Sequence, residues 1–229
     1  MFVPLAFHKE SIVTRGLILH IDAADRTSHS PTSIKWNDLS GNNNNGVLTN
    51  GPTFNSGNGG SIIFDGTDDY TIISNSNLPT LDSLSALSVC GFFKVDNTSG
   101  QHRQIYSWGN NDGIRFRVDS GGNSVRLFDR GGINPITHSF TINDDTWYFF
   151  CTIADNSGLT VFINTDKSTG GTTFSPTHAD NIVYIGSRNN GTSELMDGSI
   201  ACIFMYNRAL SDNEVTQNYN ALKSRFDIL

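Results

Sequence analysis

TWYFFCTIA, Thr146 to Ala154, is the stretch that decides the fold. Successive side chains of a strand point to opposite faces, so Trp147, Phe149, Cys151 and Ile153 share one face and Tyr148, Phe150, Thr152 and Ala154 the other. Both faces are apolar enough to be covered, which predicts a central strand of a layered β structure. Outward from it lie further short runs rich in β-branched and aromatic residues: GLILHID, SIIFDG, DYTIIS, LSVCGFFKV, QIYSW, IRFRVD, SVRLFD, HSFTI, LTVFIN, NIVYIG and SIACIFMYN. Gly- and Asn-rich turns such as SGNNNNG (Ser40 to Gly46) and NSGNGG (Asn55 to Gly60) separate them. They are too short to link separate domains, and the pattern predicts one β-sandwich. DNSG, Asp155 to Gly158, reads as a hairpin turn with Gly158 at positive φ.

The chain has 229 residues, 37% hydrophobic and 16% charged, which suits one medium all-β domain able to bury its own core without a metal. Its formal net charge is −7 and its basic residues are scattered, which argues against nucleic acid as a partner. No run of about 18 apolar residues exists, and the amino terminus lacks the marks of an export signal, so neither a membrane span nor secretion is expected. Of the 22 acids only Glu10, Glu194 and Glu214 are Glu. The rest are Asp, placed beside Gly, Asn and Ser as turn chemistry requires. Cys90, Cys151 and Cys202 each sit in an apolar strand-like run and read as buried, reduced thiols.

One helix is signalled. Ser211-Asp212-Asn213-Glu214 is a capping box, followed by Val215, Tyr219, Leu222 and Phe226 as an apolar stripe. The expected organisation is an arm over residues 1–14, a sandwich over 15–210 and a packed helix over 211–229. Arg208 and Leu210 read as a strand-to-helix connector, and His20 and Asp22 as a hydrogen-bonded surface pair.

Five stretches in order resemble concanavalin A-like, laminin G-like jelly rolls, more narrowly those of tailed-phage structural proteins of marine and cyanobacterial viruses. They are SIVTRGLILHIDAAD (Ser11 to Asp25), WNDLSGNNNNGVLTNGPTFNSGNGGSIIFDGTDDYTII (Trp36 to Ile73), DDTWYFFCTIAD (Asp144 to Asp155), MDGSIACIFMYNRALSDNEV (Met196 to Val215) and QNYNALKSRF (Gln217 to Phe226). The resemblance implies an all-β jelly-roll sandwich with a short C-terminal amphipathic helix. It also implies a non-enzymatic virion protein, made in the host cytoplasm and partnered by other virion proteins or copies of itself. The contrasting function is an adhesin module that recognises surface glycans.

Hydrolases of this architecture use acids at alternate positions of one strand, with carboxylates about 5–9.5 Å apart. The alternate acids here, Asp212 and Glu214, fall in the helix cap, and no G-x-S-x-G elbow is present, so no catalytic residue is expected. Calcium at a sandwich rim is a further implication of the resemblance. Its oxygen ligands would come from Asp38, Asn42 and Asn45 in one turn and Asp68 and Asp69 in FDGTDDY, although those acids also serve as ordinary turn residues. For a glycan, Trp108 followed by Asn110 and Asp112, with Arg115 and Arg117 alternating on the next strand, offers an aromatic platform with polar groups beside it. In the other reading Trp108 closes the edge of the core.

Overall fold

In the computed structural model, which describes residues 11–109, 113–129, 135–176, 179 and 181–228, TWYFFCTIA lies at the middle of a sheet as its alternation requires. The strands are β1 (Leu17–Asp22), β2 (Lys35–Trp36), β3 (Gly46–Thr49), β4 (Thr53–Asn55), β5 (Ser61–Asp65), β6 (Tyr70–Ser74), β7 (Leu87–Val95) and β8 (Arg103–Trp108). They continue as β9 (Ile114–Val118), β10 (Val125–Phe128), β11 (Ile136–His138), β12 (Trp147–Asp155), β13 (Gly158–Ile163), β14 (Asp166–Gly170), β15 (Ile182–Ile185) and β16 (Asp197–Tyr206). One sheet runs β14-β13-β12-β7-β16-β5-β4, with β1 also on β16; the other runs β11-β10-β9-β8-β15-β6-β3-β2. All pairings are antiparallel.

The two faces of β12 have different partners. Tyr148, Phe150 and Ala154 join Phe93, Tyr106, Phe116 and Val161 in the core between the sheets. Phe149, Cys151 and Ile153 join Phe92, Phe204 and Tyr206 on the outer face of the first sheet. That second surface is covered by helix α1 (Asp212–Leu222), whose Val215 and Tyr219 are buried, and by Phe226 in the 3-10 turn that follows. Ser211 accepts from the Glu214 N–H while the Glu214 carboxylate accepts from the Ser211 N–H, so the predicted capping box forms. Arg208 donates two bonds to that same carboxylate, at 2.9 and 2.6 Å.

β2, β3, β4 and β14 escape a pattern-based reading because they are short or polar. β14 is DKSTG, an edge strand with an exposed face that nothing requires to be apolar. The predicted HSFTI strand forms earlier, as Ile136–His138. Gly158 has the expected positive φ, +129°.

The cysteine reading needs correction. Cys90 and Cys151 face each other across β7 and β12 and are joined as a disulfide, leaving only Cys202 free and buried. Alternation shows that each cysteine is buried, but strand register, invisible in the sequence, decides which two are opposite. His20 packs at a tilt against the Phe204 ring, and Asp22 is held by Arg225 at 2.8 Å from 203 residues away, so these two do not form the expected pair.

Of the expected arm, Met1 to Glu10 lie outside the described residues. Ser11 to Thr14 are docked on the helix: Val13 is buried, its N–H donates to Asn218 and its carbonyl accepts from the Tyr206 hydroxyl.

Candidate glycan-binding face and acidic turn

The expected calcium set divides in two. The turn from Asp38 to Asn45 joins β2 to β3 and sits at the Ser74 end of β6, where the Asn75 and Asn77 amides donate to the carbonyls of Asn43 and Asn42. Asp68 and Asp69 precede Tyr70 at the other end of the same strand, about 20 Å away at ~3.4 Å per residue. Moreover, the Asp38 carboxylate is already saturated. Oδ1 accepts from the His20 and Ser40 N–H groups, and Oδ2 from the Ser40 hydroxyl and the Asn44 N–H, at 2.7 to 3.0 Å. The Asn45 amide oxygen accepts from the Asp38 N–H, and the Asn42 amide donates to the Leu17 carbonyl. Asp38, Asn42 and Asn45 therefore close a turn and are not joined to Asp68 and Asp69 as one ligand set. Sequence proximity within Trp36 to Ile73 concealed the fact that a strand separates them.

Asp68 and Asp69 instead meet Asp65, at the end of β5, with one carboxylate oxygen from each within 4.8 Å of the others. Asp69 is only 4% exposed and accepts from the Asp65 N–H at 3.1 Å. Burial first, and then the charges of Asp65 and Asp68, raise its pKa to about 6. Three hard oxygen donors with excess negative charge fit calcium chemically.

The predicted glycan set divides as well. Trp108 is fully buried in the inter-sheet core, so it closes that core and offers no sugar platform. Its β8 register places it opposite Ile114, on the face that points inward. Asn110 and Asp112 lie outside the described residues. Arg115 and Arg117 do come together, on the outer face of the second sheet, with their guanidinium carbons 4.2 and 4.8 Å from the centre of the Phe128 ring. Both side chains are buried, and stacking on an aromatic face in this way holds each guanidinium in position.

A loop between β15 and β16 builds over this face. Its anchors are the Ser107 hydroxyl bonded to the Ser187 carbonyl, the Gln104 N–H to the Glu194 carbonyl and the Tyr70 hydroxyl to Asn190. Asn189, Asn190 and Glu194 all have positive φ, between 52° and 60°, conformations more often retained where function or tight packing demands them. Glu194 bonds Arg117 and reaches Arg188 at 3.3 Å. Asp119 in turn holds Arg117 at 3.2 Å and Arg126 at 2.8 Å, with His102 at 3.5 Å. The His102 pKa is lowered, by burial first and by Arg117 second. Ser107, Arg115, Arg188 and Asn189 come together here without leaving room for a water molecule between them.

Sequence reading missed Phe128, Arg126, Arg188 and Glu194. Arg126 and Phe128 alternate in VRLF with core residues between them, as Arg115 and Arg117 do in IRFRV, and that shared alternation was the available signal. Nothing local points to Arg188 or Glu194, which reach the face through a loop.

Residues 65–216 match a laminin G-type family model described as the concanavalin A-like lectin/glucanases superfamily. Among solved structures, the Trypanosoma rangeli sialidase in complex with sialic acid is similar, with a TM-score of 0.70 and 11% identity over 93% of this chain and 34% of that one. The botulinum neurotoxin serotype D binding domain matches with a TM-score of 0.69 and 15% identity over 90% of this chain and 52% of that one. A botulinum neurotoxin type C structure, described by the dependence of cell entry on two ganglioside molecules, gives a TM-score of 0.68 and 15% identity, covering 90% and 51%. The chain thus spans about a third to a half of the solved chains it resembles, and at these identities the likeness is one of fold. No curated protein matches the sequence.

Proposed function

Because the chain belongs to the concanavalin A-like lectin/glucanase superfamily, we propose that it works as a carbohydrate-binding module without catalytic activity. The observation that carries this reading is the outer face of the second sheet, where the partly exposed Arg126 and Arg188 stand with the buried Arg115, Arg117 and Phe128 under a loop rich in positive φ. Polar side chains on a rigid sheet, roofed by a loop, form the kind of convergent hydrogen-bonding surface that orients a sugar. The ganglioside and sialic acid named for two similar structures support saccharides as the ligand class. Among the described residues no strand carries two acids at alternate positions, which supports binding over glycoside hydrolysis.

The test is a glycan array probed with the folded protein. Selective retention that Arg188→Ala abolishes is the expected result, and silence across the array from a protein with an intact melting transition overturns the reading. Calcium, when bound, would supply positive charge to the Asp65, Asp68 and Asp69 turn and hold it together.

The setting we propose is the surface of a virion, as a capsid-decorating, fibre or tail-associated part that displays the module. This rests on the resemblance to tailed-phage structural proteins across five stretches of the chain. Mass spectrometry of gradient-purified particles tests it: the protein should co-sediment with them, and its absence from intact particles would remove the assignment.

A further inference from the structure

On a chain of net charge −7, the outer face of the second sheet gathers four of the ten arginines: Arg115, Arg117, Arg126 and Arg188. Three of them, Arg117, Arg126 and Arg188, pair with two carboxylates, Asp119 and Glu194. Arg117 is committed, with Nε on Asp119 and a terminal nitrogen on Glu194, and it is only 7% exposed. Arg126 and Arg188 differ. Their side chains are 38% and 24% exposed, and among the described residues each makes one ion pair, Arg126 Nε with Asp119 at 2.8 Å and Arg188 with Glu194 at 3.3 Å. A guanidinium carries five N–H donors in a planar fork, more than these pairs use, and both side chains are partly open to solvent. The Arg188 Nε is moreover buried with no hydrogen-bond partner among the described residues.

Resting on the carbohydrate reading above, we infer that this face selects acidic saccharides, whose carboxylate or sulfate group is taken by Arg188, with Arg126 adding charge on the same face across Arg117. Glu194 already occupies part of the Arg188 fork. It stands where a ligand carboxylate would compete, from a loop held in left-handed backbone geometry. A sugar acid reaching Arg188 replaces the internal Glu194 contact by an equivalent external one. Glu194 therefore acts as a gate on affinity, and neutralising it frees the fork.

Four probes decide the matter by calorimetric titration of the whole chain: sialyllactose, a galacturonic acid trisaccharide, a sulfated heparin tetrasaccharide and neutral lactose. Binding of an acidic probe at least tenfold tighter than lactose, weakened by added salt, is expected, and the carboxylated and sulfated arms identify which oxyanion is taken. Arg188→Gln should lower that affinity about tenfold or more. Arg188→Lys, which keeps charge without the fork, should recover only part of it, and Glu194→Gln should raise it. Thermal melts of each variant show whether the fold persists. Lactose bound as well as the acidic probes, with no effect of Arg188→Gln, overturns the acidic preference and leaves the carbohydrate reading standing. No binding of any probe or of any arrayed glycan overturns both.

Discussion

Asp69 is a single residue whose environment makes a measurable claim. Its pKa is raised to about 6, chiefly by burial and then by Asp65 and Asp68, so the fold prefers it protonated. An acid with a raised folded pKa contributes stability below its unfolded pKa, near 4, and loses that contribution as pH rises towards 6. Melting of the metal-free protein should therefore fall between about pH 4 and 6, with Asp69→Asn flattening that slope and gaining about 1 kcal/mol at pH 7 after solvent screening. If calcium binds there, it should raise the melting temperature at pH 7 far more than at pH 4.5, and Asp69→Asn should remove the gain. An unchanged melt with excess calcium at pH 7 would discard that cation. Trp108 gives a second residue-scale expectation. Being wholly inside the core, it should cost about 3–5 kcal/mol on Trp108→Ala by urea denaturation. A much smaller loss would contradict its place in the core.

At the scale of the element, the carboxyl-terminal helix depends on its first turn. Glu214 completes the capping box and receives both Arg208 bonds, and its pKa is lowered to about 2, with Arg208 as the first cause and the Ser211 N–H as the second. An acid with a depressed folded pKa contributes stability above its unfolded value near 4.3. That stability disappears as pH falls towards 2. Glu214→Gln keeps the shape and removes the charge, so it should cost about 1 kcal/mol at pH 7 and nothing measurable near pH 2, where the wild-type residue is itself becoming neutral. Equal losses at both pH values in chemical denaturation would show that the charge is irrelevant. The trend opposes that of Asp69, so the two variants separate the contributions.

For the whole molecule, the second apolar surface ties distant parts of the chain together. Val13 is buried against the helix and bonded through Asn218 and Tyr206, while Arg225 reaches across to Asp22 and the Gly60 carbonyl. The informative comparison is between a truncation of residues 1–10 and a longer one. Extending the truncation through Thr14 should cost about 2–3 kcal/mol, because it strips a buried valine and leaves Asn218 with one partner fewer. Equal melting of the two truncations would show that the Val13 contacts contribute nothing. Incorporation of the shorter truncation into virus particles tests separately whether residues 1–10 anchor the protein.

Alternation by itself determined the two-sided burial of β12, the sandwich class and the paired projection of Arg115 and Arg117, because strand periodicity is local and the residues needed to read it are consecutive. The same holds for the capping box at Ser211 and Glu214, which spans a single turn. Tertiary structure alone decided that Cys90 faces Cys151, that Trp108 points inward, and that Asp69 meets Asp65 while Asp38 closes a separate turn. It alone brought Arg188 and Glu194 over a sheet face formed some 70 residues earlier. Register and sheet order are set by pairing between segments far apart in the chain, and loop reach by where those pairings leave the ends, so no local pattern contains them.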